Sequence, residues 1–347
     1  AKIDMKNETD PKKKAVLNGR QLALKISANS VYGFTGARLG KLPCFPISAS
    51  VTSYGRDMIF QTRDYIEEHY TREKGYPFDA KIIYGDTDSV MVQFGDCNVA
   101  DSMKYGEEAA KRVTDALFIK PIMLEFEKVY SPYLLMNKKR YAGLLWTRPD
   151  KYDYLDMKGL ETVRRDTCPL VRDVLLTSLN KILIERDEKG AVEYVKRVIQ
   201  DLLLNKIDMS MLIMSKTISR KPGDYKAKQC HTELAIKMAK RDPLTAPGLG
   251  DRVPYVIVMS DRKAKLYEKS EDPMYVLNHE IPIDTNYYLH KKLKNPVLSV
   301  FSNVIRHAEK TLFSGDHVDK IVRVTPKTSA LGKFFTKRTT CLGCKVG

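Results

Sequence analysis

The sequence predicts an α+β fold, and three stretches of the chain carry that prediction. In residues 81–94, two short runs rich in β-branched and aromatic residues, 82–84 and 90–94, flank a polar turn, which is the pattern of an antiparallel hairpin. Residues 11–32 repeat apolar side chains with the period of a helix. From residue 161 onward helical spacing dominates. We therefore expect an antiparallel sheet with helices, followed by a mainly helical part.

The composition indicates a globular protein with a polyanionic partner. The 347 residues are 43% hydrophobic and 29% charged, which suits two to three domains with an ample core. The net charge of +16 favours a partner such as nucleic acid; the alternative is a generic basic surface. No apolar run approaches the roughly 18 residues of a membrane-spanning helix, so no membrane partner is expected. The chain begins with Ala1, and its first residues lack both an apolar signal region and an initiating Met, so we expect a piece of a longer chain.

The cysteines fall into two groups. Two of the six, Cys341 and Cys344, form a C-x2-C pair, which often begins a zinc or iron–sulfur site, although four ligands are needed and a second pair does not follow. The others are isolated from one another, which is no disulfide framework and predicts a reducing compartment. These isolated cysteines are Cys44, Cys97, Cys168 and Cys230.

The helix predicted over residues 11–32 has a polar face without acids. Asp10 and Pro11 supply an N-cap and a proline at the first helical position. A face that simply meets solvent is the alternative, but such a face usually mixes charges of both signs. Lysines placed in this way suit phosphates as point charges. The polar face consists of Lys14, Asn18, Gln21, Lys25, Asn29 and Tyr32.

The turn between the two β-runs holds two carboxylates, Asp86 and Asp88, and Gly85 is expected to open it. Because side chains alternate along a strand, both carboxylates can project toward one side. Mg²⁺ is commonly held by one or two carboxylates together with substrate phosphates, so this turn is a candidate magnesium site. The alternative is an ordinary hairpin turn, where Asp is frequent for its own hydrogen-bonding reasons.

Helical spacing is also predicted at 48–69 and at 99–118. Two patterns with charged side chains follow the second of these helices. Residues 122–130 alternate as in a strand, which places Glu125 and Glu127 on one face. The alternative is that these glutamates are only the solvent side of an ordinary half-exposed strand. Three consecutive cations then stand beside an aromatic residue between apolar runs; the alternative is a solvated charge run at a sheet edge. These residues are Lys138, Lys139, Arg140 and Tyr141.

The remaining chain is mainly helical, with one short strand expected at 253–259 and no clear periodicity beyond about residue 314. Residues 216–241 contain eight Lys or Arg against two acids, a density that suits tracking of a nucleic-acid backbone. The clearest helical stretches are 168–186, 191–205 and 232–240.

Three features in one order resemble the motifs of family B DNA polymerases. They are the helix face Lys25-x3-Asn29-x2-Tyr32-Gly33, the turn Tyr84-Gly85-Asp86-Thr87-Asp88-Ser89, and the cluster Lys138-Lys139-Arg140-Tyr141. In that family these are the fingers-helix motif B, the palm metal motif C and the KKRY primer-strand motif. Each motif alone is weak, but their order and spacing are specific, and the resemblance extends over nearly the whole chain, weakest in the last thirty residues.

The resemblance implies a partial polymerase right hand: an antiparallel palm sheet with helices, plus a mainly helical thumb. It assigns residues 1–36 to the last fingers helix, 37–155 to the C-terminal part of the palm and 156–315 to the thumb. Residues 316–347 would connect to a cysteine-rich C-terminal module, begun by Cys341 and Cys344 and holding zinc or a 4Fe-4S cluster.

The resemblance also implies an activity, Mg²⁺-dependent transfer of deoxynucleotides to a primer 3′-end in nuclear DNA replication. Its implied partners are primer–template DNA, deoxynucleoside triphosphates, the sliding clamp and accessory polymerase subunits. Asp88 would be a ligand of both metals of a two-metal site, with Asp86 as the second carboxylate. Glu127, or else Glu125, would face an accessory metal.

Residues of the other two motifs would contact substrates. Lys25 and Asn29 would face the triphosphate, while Tyr32 and Gly33 would pack against the nascent base pair. The basic cluster would grip the primer strand and its minor groove, where the acceptor pattern depends little on sequence. That cluster consists of Lys138, Lys139, Arg140 and Tyr141.

The chain departs from the family pattern in one respect that matters for catalysis. A D-x-x-S-L-Y-P-S motif, which supplies the partner metal-binding Asp, does not occur, and neither do the exonuclease domain, the N-terminal domain or the first fingers helix. We therefore expect half a metal site and no activity from this chain alone. A non-catalytic DNA-binding relic of a polymerase is the alternative, but retention of Asp86 and Asp88 argues against it. A generic basic RNA-binding protein would likewise have no use for paired carboxylates.

Overall fold

The structure, a computed structural model, describes residues 2–38, 40–164, 166–220, 222–261 and 263–319. These form two compact units, which are described separately. The first comprises Ala1–Val129 with Arg148–Asp150, and the second comprises Tyr130–Thr147 with Lys151–Gly347. Within the described ranges, no helix is long and apolar enough to cross a membrane.

In its described part, the first unit contains four α-helices and one two-stranded antiparallel sheet. The long helices begin where the sequence supplies caps: Asp10 accepts a hydrogen bond from the Lys12 backbone N–H, and Asn98 accepts one from Asp101. The elements are α1 Lys2–Asn7, α2 Pro11–Gly36, α3 Phe45–His69, β1 Lys81–Asp86, β2 Ser89–Gln93 and α4 Val99–Leu117.

The core of the first unit is small and largely aromatic. Helices α3 and α4 pack against each other, and α3 packs against both strands. Rings of Tyr70, Phe78, Phe94 and Tyr105 pack face to edge or tilted, with centroids 4.9–6.2 Å apart. The apolar side of α4 completes this core, with Val113 fully buried. Helix α2, in contrast, has no buried residue and packs against α1 and α3.

Among its described residues, the second unit contains two three-stranded antiparallel sheets and eight α-helices. One sheet has the order β3-β4-β5 and the other β6-β7-β8. Its elements are β3 Val129–Asn137, β4 Arg140–Trp146, β5 Tyr154–Lys158, α5 Pro169–Asn180 with a following π-helical turn Lys181–Glu185, α6 Glu188–Leu203, β6 Met214–Thr217, α7 Cys230–Arg241, β7 Arg252–Ile257, β8 Ser270–Glu271, α8 Pro273–Asn278, α9 Thr285–Tyr287 with a π-helical turn Tyr288–Leu293, α10 Lys294–Phe301, α11 Ala308–Phe313 and α12 Asp316–Asp319.

A continuous hydrophobic core joins the elements of the second unit. Fully buried side chains from α5, α6, α10 and β7 meet in it, among them Val174, Ile199, Phe301 and Val256. The Tyr288 hydroxyl reaches into this core and accepts the backbone N–H of Ile257 in β7 (3.1 Å). Burial raises the pKa of Tyr288 well above its ordinary value, so the hydroxyl stays protonated.

The structure confirms the predicted α+β class and most elements, but corrects the strand predicted at 122–130. Strand β3 begins only at Val129, because the preceding residues are tied elsewhere: Pro121 has no N–H, and the Leu124 N–H donates to the Thr114 side chain of α4 (2.9 Å). The division at 129/130 also differs from the predicted subdomain boundaries, and the assignment of fingers, palm and thumb stays a prediction.

Replacement of Tyr288 by Phe should destabilise the second unit by about 1–3 kcal/mol, because the buried Ile257 N–H would lose its acceptor. Urea unfolding followed by circular dichroism measures this. Tyr154→Phe is the matched control, since Tyr154 is 55% exposed. Equal midpoints for the two variants would contradict the assigned role of the buried hydroxyl.

Candidate functional site

The two aspartates of the predicted metal turn lie at the tip of the β1–β2 hairpin. Asp86 is the last residue of β1 and pairs with Ser89, so the loop is only Thr87 and Asp88. The Asp88 N–H donates to the Asp86 carbonyl (2.6 Å), and the Ser89 hydroxyl donates to the same oxygen (3.1 Å). Asp86 is half-buried and Asp88 is exposed. The hairpin therefore ends in a tight turn in which one aspartate precedes Thr87 and the other follows it.

The sequence argument for the turn is wrong in two details. Gly85 lies within β1 and does not open the turn. Strand alternation does not relate the two carboxylates either, because Thr87 between them has a left-handed backbone (φ 56°). A β-branched residue rarely adopts that conformation, which costs on the order of 1–2 kcal/mol. The hairpin is also irregular at Ile83, where the register shifts by one residue between Ile82 and Tyr84.

Two residues of helix α3 contact the hairpin and fix the position of its turn along the helix. The Glu67 carboxylate accepts the backbone N–H of Ile82 at the start of β1 (2.9 Å). At the other end of the hairpin, the Cα of Gly55 faces the Thr87 carbonyl so closely that a Cβ would lie 3.2 Å from that oxygen. Two contacts thus anchor the hairpin along the helix, one near its base and one at its tip.

The other predicted acids are placed differently. Glu125 forms an exposed ion pair with Lys2 (3.0 Å), and Glu127 is paired with Lys128 (3.7 Å). Both glutamates are exposed while Phe126 between them is half-buried, so the predicted alternation holds although no strand forms. In the part of the chain that the structure describes, no three His, Cys, Asp or Glu side chains group as a metal site.

The residues of the acidic turn fit a Mg²⁺ ion as a partial ligand set. Asp86 and Asp88 offer hard oxygen donors at an exposed tip, and Mg²⁺ characteristically takes one or two carboxylates and completes its shell with water and phosphates. Thr87 Oγ1 donates to Asp86 Oδ1 (3.3 Å), which orients one carboxylate. Two carboxylates alone would bind the ion weakly.

The predicted nucleotide-contacting residues lie along the exposed length of α2. Lys25 and Asn29 are one turn apart, and Tyr32 follows with 41% of its surface exposed. A Cβ on Gly33 would meet no other atom within 4 Å, so this glycine borders open space. The structure thus leaves this face accessible for a ligand.

The basic cluster forms the tip of the β3–β4 hairpin in the second unit. Lys138 and Lys139 make the two-residue turn and are exposed, with Lys139 in the left-handed region (φ 58°). The Asn137 side chain accepts the Lys138 N–H (2.8 Å). Arg140 begins β4, and its Nη2 donates to both carboxylate oxygens of Glu161 (2.8 and 2.6 Å). The three adjacent cations are therefore not equivalent.

Aromatic and charged side chains support the sheet below this tip. Tyr141 pairs in register with Lys158 of β5, and its ring packs near those of Tyr130 and Tyr133. Asp156, 5% exposed, accepts from the Tyr130 hydroxyl (2.7 Å) and lies 3.0 Å from the Lys158 ammonium. The hydrogen bond to Asp156 raises the pKa of Lys158, while burial and Asp156 together raise the pKa of Tyr130.

Part of the basic run at 216–241 is structural. The Lys237 ammonium donates to the carbonyls of Glu268 and Ser270 (2.8 and 3.0 Å). Arg241 forms two parallel hydrogen bonds with Glu271 (2.8 and 2.9 Å) and stacks on the Tyr275 ring at 3.7 Å. Burial alone would raise the pKa of Glu271, but the Arg241 guanidinium outweighs it and holds that pKa below its ordinary value. Cys341 and Cys344 lie outside the described residues.

The family model for DNA polymerase family B matches residues 1–304. The chain belongs to this family. Catalytic subunits of DNA polymerase delta from Arabidopsis thaliana, Drosophila melanogaster and Schizosaccharomyces pombe are 57%, 58% and 56% identical to it over 99–100% of its length. The chain spans only 31–32% of the length of these relatives.

A solved structure of a family B DNA polymerase, from the hyperthermophilic archaeon Pyrobaculum calidifontis, superposes with a TM-score of 0.60 and 27% identity. The alignment covers 88% of this family B chain and 36% of the archaeal one. This similarity agrees with the mixed helix and antiparallel-sheet architecture and with a chain that corresponds to part of a larger polymerase.

Sequence reasoning missed the residues that support the two hairpin tips. Gly55 lies inside a helix, where alanine would be favoured by about 1 kcal/mol. This unfavourable residue was the signal in the sequence that could have indicated a close contact at Gly55. Glu67 looked like any exposed helix acid. Glu161 and Gly159 carried no pattern of their own, because the partner of each lies about 20 residues away in sequence.

Replacement of Gly55 by Ala should move the Thr87 carbonyl by a few tenths of an ångström without lowering the stability of α3, because alanine is the better helix former. Backbone amide chemical shifts and hydrogen exchange of residues 86–89 report this displacement. Gly19→Ala in α2 is the matched control, since a Cβ there meets nothing within 4 Å. Unchanged amides at the turn in the Gly55 variant would contradict the proposed close contact.

Proposed function

We propose that this chain is part of a replicative DNA polymerase that adds deoxynucleotides to a primer 3′-end on a template, with Mg²⁺ as cofactor. The observation that carries the proposal is the rigidly anchored pair Asp86 and Asp88 at the tip of a hairpin in a family B chain. A basic hairpin tip and an acid-free helix face accompany it. The proposed site of action is the nucleus.

Phosphoryl transfer needs positioning and charge stabilisation more than covalent chemistry. Asp88, with Asp86, would hold Mg²⁺, which when bound neutralises charge on the transferred phosphate. The short Asp86–Asp88 turn restricts how far either carboxylate can move, and helix α3 restricts the turn. Glu127, or else Glu125, is proposed to face an accessory metal, although each is ion-paired with a lysine in this structure.

The substrates would contact exposed residues of the other two motifs. Lys25 and Asn29 would face the triphosphate of an incoming deoxynucleotide, while Tyr32 and Gly33 would border the nascent base pair. Lys138 and Lys139 would contact primer-strand phosphates, supported from below by Arg140 and Tyr141. This arrangement carries no base readout, which suits an enzyme that must accept every sequence.

The proposed subdomains are the last fingers helix (1–36), the C-terminal part of the palm (37–155), the thumb (156–315) and a connector (316–347). In a longer polymerase Cys341 and Cys344 would begin a module that holds zinc or a 4Fe-4S cluster. The sliding clamp and accessory polymerase subunits are the proposed protein partners.

Replacement of Asp88 by Ala in the intact polymerase should abolish nucleotide addition and leave primer–template affinity unchanged, because the carboxylate acts on the metal and not on the duplex. Single-turnover extension and a binding titration measure the two effects. Asp115→Ala, at an exposed position of α4, is the control and should leave both unchanged. Extension by the Asp88 variant within tenfold of wild type would remove Asp88 from the metal site.

Replacement of Lys138 and Lys139 by Gln should weaken primer–template binding similarly for all sequences and flatten its salt dependence by about two units of slope, because fewer counterions are released. The control is Lys189→Gln with Lys206→Gln, which removes the same charge from exposed positions elsewhere in the second unit. Sequence-selective loss, or equal loss in the control, would refute the assigned phosphate contacts.

The 347-residue chain by itself should bind duplex DNA in a salt-dependent way and incorporate no nucleotide, because two carboxylates hold Mg²⁺ weakly. Primer extension and binding at two salt concentrations on the same purified chain test this. Extension by the chain alone would mean that a further metal-binding carboxylate lies within it, and Glu125 and Glu127 would be the first to replace.

A further inference from the structure

At the β3–β4 tip, the Arg140 side chain is ion-paired with a carboxylate of the same unit. One terminal nitrogen of its guanidinium contacts both oxygens of Glu161. The two side chains are 33% and 22% exposed, so the pair is partly shielded from solvent. The Arg140 Nε–H is buried and has no hydrogen-bond partner among the described residues. The guanidinium therefore faces the protein, whereas Lys138 and Lys139 are exposed.

A second contact reaches the same tip from Gly159, which follows β5. Gly159 has a left-handed backbone (φ 66°), and a Cβ there would collide with the Lys139 carbonyl oxygen. The same Cβ would lie 3.1 Å from the Lys139 carbonyl carbon and 3.3 Å from Arg140 Cγ. Only glycine allows the backbone after β5 to approach the turn this closely.

Lys139 itself needs such support. Its left-handed backbone (φ 58°) costs a non-glycine residue on the order of 1–2 kcal/mol. Three adjacent cations also repel one another, and an acid beside one of them offsets part of that repulsion. Strained conformations of this kind persist where the surrounding structure holds them in place. Glu161 and Gly159 are the neighbours that do so from one short segment.

We propose that Glu161 and Gly159 are positioning residues for DNA binding: through Arg140 and the Lys139 carbonyl they hold Lys138 and Lys139 in the geometry that contacts phosphate. Arg140 then acts as an anchor rather than as a DNA contact. This inference rests on the proposed DNA-binding function of the hairpin and deepens it. It predicts that an acid, which ordinarily repels DNA, promotes DNA binding here.

The direction in which Glu161→Gln changes the affinity for DNA distinguishes the proposal from a simple effect of net charge. Glu161→Gln adds one positive charge and releases Arg140, so a direct Arg140–DNA contact would make primer–template binding tighter. The positioning role requires the opposite: about three- to tenfold weaker binding, with a salt slope shallower by about one unit as a lysine contact is lost. The measurement is fluorescence-anisotropy titration of a primer–template duplex with the intact polymerase at several salt concentrations.

A charge exchange tests the ion pair itself. Arg140→Glu alone should weaken binding more than Glu161→Gln, and Arg140→Glu combined with Glu161→Arg should recover at least half of the lost binding free energy by restoring the pair. If Arg140 contacts DNA, the exchange variant would remain as weak as Arg140→Glu. Failure of this recovery would overturn the proposal.

The backbone contact has its own matched control. Gly159→Ala should displace Lys139 and weaken binding, whereas Gly250→Ala should not, because Gly250 also has a positive φ (96°) but open space around it. Binding is compared at a temperature where thermal unfolding shows both variants to be folded, which separates a loss of binding from a loss of folding. Equal binding by the two variants would overturn the role of Gly159.

Failure of the inference and failure of the proposed function give different results. Wild-type polymerase that does not bind the duplex in a salt-dependent way would overturn both. Salt-dependent wild-type binding, with Glu161→Gln as tight as wild type or tighter, would overturn the positioning role alone and leave the DNA-binding hairpin standing.

Discussion

The close approach of a glycine to the carbonyl oxygen of a left-handed turn residue is the constraint that the acidic and the basic hairpin tips share. In the first unit Gly55 of α3 faces Thr87, and in the second unit Gly159 faces Lys139. Thr87 and Lys139 have nearly the same backbone angle, φ 56° and 58°. Neither is glycine, so each turn stores strain that a contact from a neighbouring segment must hold. A two-residue loop supported in this way has little freedom to move the charges it carries.

The acidic and the basic tip differ in the ion pairing of their charged side chains. Asp88 has no ion-pair partner among the described residues, although the chain as a whole carries an excess of 16 positive charges. At the basic tip one cation is already balanced, because Arg140 is paired with Glu161. A carboxylate left without a counter-charge suits a divalent cation, whereas the exposed lysines at the basic tip are proposed to contact phosphates.

The sequence predicted the fold class and the hairpin at 81–94 because both depend on local patterns, the periods of two and 3.6 residues. It also placed the two carboxylates in the turn of that hairpin and singled out the basic cluster, but it did not predict that this cluster forms a hairpin tip, and the roles of these residues stay predictions. It failed where geometry depended on distant residues. The strand predicted at 122–130 does not form before Val129, because the Leu124 N–H donates to the Thr114 side chain of the preceding helix. The pairing of Arg140 with Glu161, 21 residues away, had no local signal.

In the proposed function, the fixed position of each tip matters because phosphoryl transfer is governed by placement. A displacement of about 1 Å in a reacting group can cost on the order of a hundredfold in rate, even when it originates outside the reacting groups. Gly55 and Glu67 touch neither metal nor substrate in the proposed function, yet they set where Asp86 and Asp88 stand. A helix glycine that disfavours α3 by about 1 kcal/mol relative to alanine is then understandable, since a Cβ at this position would push the Thr87 carbonyl away by a few tenths of an ångström.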